Sequence, residues 1–326
     1  MHDYTLGRVL GEGASGEVRL ATRAGRDYAL KIVTLTRGHA VDMQPFLREV
    51  LLIRTACALV DTRRLICVED DQVWFTPDRG YRPSGILVYT KAEATVEERV
   101  STLSLDVRDE IIRQVGTTLQ ILHNAGLAHG DVAMRNIMLQ EGTRPYLIDF
   151  GLACLRPTSR AATTAAALMP DLLSKYRRTT ARIQREHEPS SQVWNWAERV
   201  GSTTAIDVTC RVSAIASEDR LPARFYSQYR TEFARAVAND TYMLAWTYLE
   251  LLHGEMVFLR DGDDAYTLAD AIRDASRSSS IRAMLTTTLG VSADVYKGRI
   301  SDVIAATTSL DVENLINSTR ARFTLD

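Results

Sequence analysis

The sequence predicts an α+β fold in two lobes: a small five-stranded antiparallel sheet carrying one helix over residues 1–91, then a larger, mainly helical part over 92–326. Three observations lead there. Short apolar runs broken by glycines, "YTLGRVLGEGASGEVRLATRAGRDYALKIV", read as strands at about 4–10, 16–22 and 27–33 joined by tight turns. Apolar residues at helical spacing within 43–59 (Phe46, Leu47, Val50, Leu51, Ile53) read as one helix, and "RLICVED" at 64–70 and "SGILVYT" at 84–90 supply two more strands. After Thr90 the pattern turns helical. "DVRDEIIRQVGTTLQILHNAG", 106–126, opens on Asp, repeats apolar residues every three or four positions and stops at Asn-Ala-Gly. A short strand pair follows, "NIMLQ" and "PYLIDFG". "NDTYMLAWTYLELLHGE", from Asn239, is apolar nearly all round, as a buried helix is. Residues 262–326 read as three or four amphipathic helices. Between Gly151 and Asn239 the chain is rich in Ser, Thr, Ala and Arg, with a basic helical stretch near 171–187.

Composition narrows the function classes. A chain of 326 residues, 45% hydrophobic and 25% charged, is long enough to bury its own core. A formal net charge of −2 gives no global field for nucleic acid or a membrane surface, so neither partner is expected and any phosphate binding is local. Cys57, Cys67, Cys154 and Cys210 are scattered without a Cys-x-x-Cys pair, so neither a zinc site nor a disulfide framework is expected. With no secretory signal or membrane-spanning run in view, the expected home is reducing and intracellular, cytoplasm or nucleus. Only Lys31, Lys91, Lys175 and Lys297 among the 39 basic residues are lysines, which draws attention to each.

Chemistry gathers in three places. "GEGASGEV", Gly11 to Val18, is Gly-x-Gly-x-x-Gly-x-Val between two strands. Glycine there lets backbone N–H groups approach phosphate oxygens without a side chain in the way. A dinucleotide fold needs a helix directly afterwards; here "EVRLAT" reads as a strand, so the loop is a hairpin flap. "YALK" puts Lys31 on the next strand, where its ammonium suits phosphates under the flap, with Glu49 on the helix to orient it. Taken alone, such a pair is more often a surface ion pair contributing about 0–1 kcal/mol. "HGDVAMRN", 129–136, sets Asp131 five positions before Asn136; alone it reads as a turn.

In their order and spacing these segments resemble the eukaryotic-type protein kinase family across nearly the whole chain. "GEGASGEV" looks like its Gly-rich loop, "YALK" its lysine strand, "HGDVAMRN" its catalytic loop and "DFG" at 149–151 its magnesium-binding motif. "NDTYMLAWTYLELLHG" resembles its Asp-headed buried helix, and "KGRISDVIAA", with Arg299, the entry to its last helices. The resemblance implies ATP and Mg²⁺ as cofactors and a protein as substrate. Asp131 would accept the proton of, or orient, the substrate hydroxyl; Asn136 and Asp149 would hold Mg²⁺; Lys31, held by Glu49, would clamp the α- and β-phosphates. Leu10, Gly11, Gly13, Ser15 and Gly16 belong to the phosphate flap. Val18 and Ala29 would roof the adenine and Met138 floor it, with Val88 near the gatekeeper position and Tyr89 to Lys91 in the hinge. Phe150, His129, Ile53 and Asp240 would pack and anchor.

Departures from the family pattern carry further expectations. Gly130 replaces an arginine that, in regulated members, pairs with an activation-loop phosphate, so that switch is not expected here. Ala133 and Arg135 resemble the tyrosine-kinase loop, while the family at large favours serine or threonine; the reading leans to serine/threonine. The Ala-Pro-Glu equivalent is Met169-Pro170-Asp171 or Leu221-Pro222-Ala223. Asp149 to Asp240 is longer than the family's usual span, so an insertion lies at about 155–238; its Arg177, Arg178, Arg182 and Arg185 suit an acidic or phosphorylated partner, or a solvated face. "HGD" with the following Asn also resembles the aminoglycoside and choline kinase loop, which leaves a small-molecule phosphotransferase as one alternative. A pseudokinase scaffold is another. A compact, arginine-rich chain of this kind is similar to kinases of large DNA viruses, for which the location would be the host cell.

Overall fold

The computed structural model describes residues 4–13, 16–37, 40–61, 63–76, 82–210, 229–253, 259–261, 264–266 and 311–323. Strands, in chain order, are β1 (Thr5–Gly13), β2 (Gly16–Arg23), β3 (Arg26–Thr34), β4 (Val68–Thr76), β5 (Arg82–Thr90), β6 (Ile137–Gln140) and β7 (Arg144–Leu147). Helices are α1 (Gln44–Leu59), α2 (Val96–Arg99), α3 (Leu105–Ala125), α4 (Arg160–Glu186), α5 (Gln192–Gly201), α6 (Glu232–His253) and α7 (Val312–Phe323). None of the described helices is long and apolar enough to cross a membrane. The chain forms two compact units: one of Met1–Ala92, Ala125–Leu127 and Ile148–Thr209, the other of the remainder.

In the first unit, β1 to β5 make an antiparallel sheet in the order β1-β2-β3-β5-β4. The β2–β3 turn is Ala24-Gly25 with φ of +50° and +76°, the pair of positive values that a type I′ hairpin needs. Directly opposed residues share a face. Val18, Lys31 and Leu87 therefore stand in one row and Leu20, Ala29 and Tyr89 in the next, all on one side. Ala21, Tyr28, Leu30, Ile86 and Val88 form an apolar cluster on the other. On the Lys31 side, the Phe46 ring of α1 lies where a side chain at Gly85 would be, which is why glycine suits that position.

Four expectations are corrected in this unit. β4 lies at 68–76 rather than 64–70, because Leu65 and Ile66 are buried before the strand begins and Asp71 is accommodated inside it. Cys57, in the last turn of α1, forms a disulfide with Cys67, the residue just before β4, their Cα atoms 6.0 Å apart, so the expectation of no disulfide fails. None of the cysteines is a free thiol. Residues 148–209, assigned from the sequence to the helical lobe, pack with the sheet instead: Leu172, Leu173, Tyr176, Thr180 and Ile183 make one buried stripe on α4, and Trp196 of α5 stacks on Phe75 of β4. Met169-Pro170-Asp171 lies inside α4 rather than at the end of a segment. The other Ala-Pro-Glu candidate, at 221–223, and Arg299 lie outside the described residues.

The second unit is built on α3 and α6. Tyr248, fully buried on α6, donates its hydroxyl to Asp109 of α3 at 2.6 Å. Gly116 of α3 leaves no room for a Cβ against Val312 of α7. α6 begins at Glu232, earlier than the apolar run that announces it. β6 pairs with β7 and with Ala94–Thr95, a short strand leading into α2, whose Thr95 and Glu98 form a reciprocal capping box. Of the helices expected over 262–326, α7 is described and the rest lie outside the described residues.

Candidate active site

Lys31 is the centre of the first unit's polar cluster. Its Nζ donates to Glu49 Oε1 at 2.7 Å and to Asp149 Oδ1 at 3.1 Å. Lys31 is 8% exposed and Glu49 3%, so this is a buried pair, not the surface pair that sequence alone favoured. Burial opposes the ammonium charge, but the two carboxylates outweigh it and raise the Lys31 pKa. Tyr89 points its hydroxyl to Glu49 at 3.5 Å; burial, then the neighbouring carboxylates, push its phenol well up, so it stays neutral as a donor. Asp149 has φ +62°, a left-handed backbone that costs most side chains energy and that Asp tolerates better than most. The Gly151 N–H donates to its Oδ1 at 3.2 Å, and its carboxylate keeps 30% exposure. Phe150, 1% exposed, fixes the neighbouring residue.

The flap over this face is the β1–β2 hairpin. Leu10, Gly11 and Gly13 are on β1, Gly13 opposite Gly16, and Gly11 opposite Val18. A Cβ at Gly11 would meet nothing, whereas at Gly16, with φ +140°, it would collide with the Ile32 carbonyl. Ser15 lies outside the described residues. Ala29 and Tyr89 share the Lys31 face, and Lys91, just beyond β5, sits 3.9 Å from Asp27. Val88 does not join them. It is fully buried opposite Leu30 on the reverse face, because alternation along β5 sends 87 and 89 one way and 88 the other, so the wall position near Lys31 belongs to Tyr89.

In the second unit the loop 129–136 is held from below. Asp240, fully buried on α6, accepts from the N–H groups of His129 and Gly130, each at 2.7 Å, and pairs with His123 Nε2 at 2.7 Å. Gly130 has φ +86°, a conformation that suits glycine. The Asp131 N–H donates to His129 Nδ1 at 3.2 Å. The Asp131 carboxylate receives Arg135 Nη2 at 2.8 Å and Asn136 Nδ2 at 2.7 Å; the same amide donates to the Asp131 carbonyl at 2.9 Å. With its nitrogen so used, Asn136 turns its amide oxygen to other work, which suits a hard cation. Met138 follows on β6 opposite Tyr146 and Thr95. His123 was missed by sequence reasoning: a single His in the last turn of a helix carries no signal until its partner is known.

Each cluster by itself carries groups of the kind that phosphate and metal chemistry uses: a fixed ammonium, a carboxylate and a glycine hairpin in the first unit, a carboxylate and an amide oxygen in the second. Residues 4–182 match the model of the protein kinase domain. The chain is 31% identical over 172 residues to serine/threonine-protein kinase PknB of Mycolicibacterium smegmatis, covering 51% of this chain and 27% of that protein. It is 28% identical over 184 residues to the L-type lectin-domain containing receptor kinase V.7 of Arabidopsis thaliana, covering 53% and 28%. With the KEOPS complex subunit Bud32 of Pyrococcus abyssi it shares 38% over 68 residues, 21% of this chain and 30% of the other. The chain thus spans about a quarter to a third of these relatives' lengths. More than half of its residues fall within the family match, and the chain belongs to the protein kinase domain family.

Proposed function

We propose that this chain is an ATP-dependent protein kinase, transferring the γ-phosphoryl group of Mg-ATP to a protein hydroxyl, with serine or threonine as the acceptor. The observation that carries the reading is the buried ammonium of Lys31 set between Glu49 and Asp149, at 2.7 and 3.1 Å. A purely structural lysine gives no reason for two buried or half-buried carboxylates around it, one of them on an aspartate with a left-handed backbone. When bound, Mg²⁺ neutralises charge on the β- and γ-phosphates. By the family pattern, Asp149 and Asn136 would supply its protein ligands, and Lys31 would hold the α- and β-phosphates. Asp131, aimed by Arg135 and Asn136, takes the hydroxyl proton as the oxygen–phosphorus bond forms and the bond to the β-phosphate oxygen breaks. Arg135 on Asp131 also favours a second reading, tyrosine as acceptor, since the loop with arginine there resembles the tyrosine-kinase form. The exposed Arg177, Arg178, Arg182 and Arg185 of α4 suit an acidic or phosphorylated protein partner.

The test is incubation with Mg²⁺ and γ-labelled ATP on generic protein substrates and on the chain itself, beside Asp131→Asn, followed by separation of the phosphoamino acids. Label on protein that disappears in the variant supports the reading and names the acceptor. ATP binding without protein labelling would move the assignment to a small-molecule phosphotransferase or a scaffold. A second expectation concerns the metal. Mg-ATP raises the melting temperature, by about 2.7 kcal/mol of linkage at a hundred times Kd. Asp149→Ala removes the Mg²⁺-dependent part of that rise in differential scanning fluorimetry.

A further inference from the structure

The segment that follows the Asp149 motif does not simply extend the chain; it folds back onto α1, the helix that carries Glu49. Asp71 of β4 is fully buried and gathers three donors: the Arg54 guanidinium of α1, the Tyr176 hydroxyl of α4, and Lys175 Nζ of α4 at 3.1 Å. Lys175 also reaches Asp70 at 3.1 Å. One carboxylate thereby ties α1, β4 and α4 together. The Tyr176 ring packs edge-on against Phe46 of α1, centroids 5.8 Å apart. The first half of α1 is held as firmly. Arg48, beside Glu49, donates to the carbonyls of Asp207 at 2.8 Å, Ala153 at 2.6 Å and Thr209 at 3.2 Å. Gln44 donates to the Ala205 carbonyl and accepts from the Asp207 N–H, at 2.7 and 3.1 Å.

We propose that α4 and the 205–209 segment form a built-in holder of α1, in which Lys175 and Tyr176 are positioning residues that keep Glu49 on Lys31 without a second protein or a phosphate. Turning α1 so that Glu49 leaves Lys31 would drag Arg54 from Asp71 and Arg48 from three carbonyls, leaving buried polar groups without donors. That coupling makes the Lys31–Glu49 pair the resting state. The proposal rests on the reading of Lys31 and Glu49 as nucleotide-binding machinery, but its core claim concerns α1 and is measurable without ATP.

The experiment is hydrogen–deuterium exchange on the full chain, with steady-state kinetics beside it, for Tyr176→Phe, Lys175→Met and Lys175→Arg. Tyr176→Phe keeps the ring on Phe46 and deletes one donor to Asp71. Lys175→Met is the milder change, its side chain 32% exposed, and stands in should the tyrosine variant not fold. Loss of a charged hydrogen bond is expected to speed exchange of the 44–59 amides about tenfold while α3 is unchanged. Apparent KM for Mg-ATP is expected to rise about fivefold or more, with kcat moving less, as fits a group that binds phosphates uniformly. Lys175→Arg restores both. Exchange that rises in α4 but not in α1 overturns the holder, as does a wild-type KM in an active Lys175→Met. A wild type that binds no ATP sinks the function reading, and the exchange measurement still decides the holder.

Discussion

Lys31→Met is expected to lower phosphoryl transfer by at least about a hundredfold and, at the same time, to destabilise the protein; Lys31→Met with Glu49→Gln is expected to recover the stability and none of the activity. The two effects have separate causes. Activity falls because the ammonium held by Glu49 and Asp149 is lost, while the Lys175 ammonium on the same side of the sheet is taken up by Asp70 and Asp71. Stability falls because Glu49, 3% exposed, is left as a buried carboxylate beside Asp149. Removing one partner of a buried pair typically costs about 3–5 kcal/mol. The low end applies here, because Glu49 escapes by taking a proton: burial pushes its carboxyl up even with Lys31 present. The sign of the pH dependence follows. A carboxyl whose folded pKa lies above its unfolded value contributes stability that is present at low pH and is lost as pH rises through the folded pKa. The deficit of Lys31→Met relative to wild type should therefore grow from pH 5 to pH 8, and the double variant should show no such growth. Urea midpoints at the two pH values check it. A deficit that is flat with pH, or a double variant as unstable as the single, would show that Glu49 is not the group left stranded.

Legibility in the sequence divides along a physical line. β1 to β3, α1 and α3 were readable because each buries one face against its immediate neighbours, so its period, two or near 3.6, is written in the residues. The grouping of Lys31 with Glu49 and Asp149, and of Asp131 with Asn136, was readable because the order of motifs raised isolated weak signals together. What failed depended on partners distant in the chain. The strand was expected to end at Asp70, and its continuation through Asp71 makes sense only once Arg54, Lys175 and Tyr176 converge on that carboxylate. The Cys57–Cys67 bridge hides in the same way, since neither cysteine sits in a recognisable spacing. Val88 was misplaced by a single residue, and in a strand one residue reverses the face. α4 was seen as a basic stretch near 171–187, but the helix starts earlier, at Arg160, and its Leu172, Leu173, Tyr176 and Ile183 stripe packs against α1 and β4, which no local pattern announces.

Asp240→Ala is expected to cost both folding and turnover, and comparison with Asp131→Asn separates an anchor from a reacting group. Asp240 has no exposure and receives the N–H groups of His129 and Gly130 together with His123 Nε2. Deleting the carboxylate strands two buried backbone donors, each worth about 1–3 kcal/mol, so a loss of about 3–5 kcal/mol is expected, the range seen when a buried charged network is broken. Asp240→Asn is no rescue, because its NH₂ would meet a donor that now faces an acceptor. Turnover falls because His129 in turn receives the Asp131 N–H, so the loop bearing Asp131 loses its footing. Asp131 itself is differently placed: its side chain is 19% exposed, and Asn is isosteric with it. Asp131→Asn should therefore unfold within about 1 kcal/mol of wild type, since a partly exposed pair contributes little, while kcat falls about 10²- to 10⁴-fold with the loss of the proton acceptor. Denaturant unfolding and single-turnover rates on the same preparations measure both. If Asp240→Ala kept wild-type stability and only slowed turnover, Asp240 would have to act on the substrate and not on the loop; if Asp131→Asn lost stability in step with activity, its role would be structural and the assignment of the acceptor's proton to it would fall.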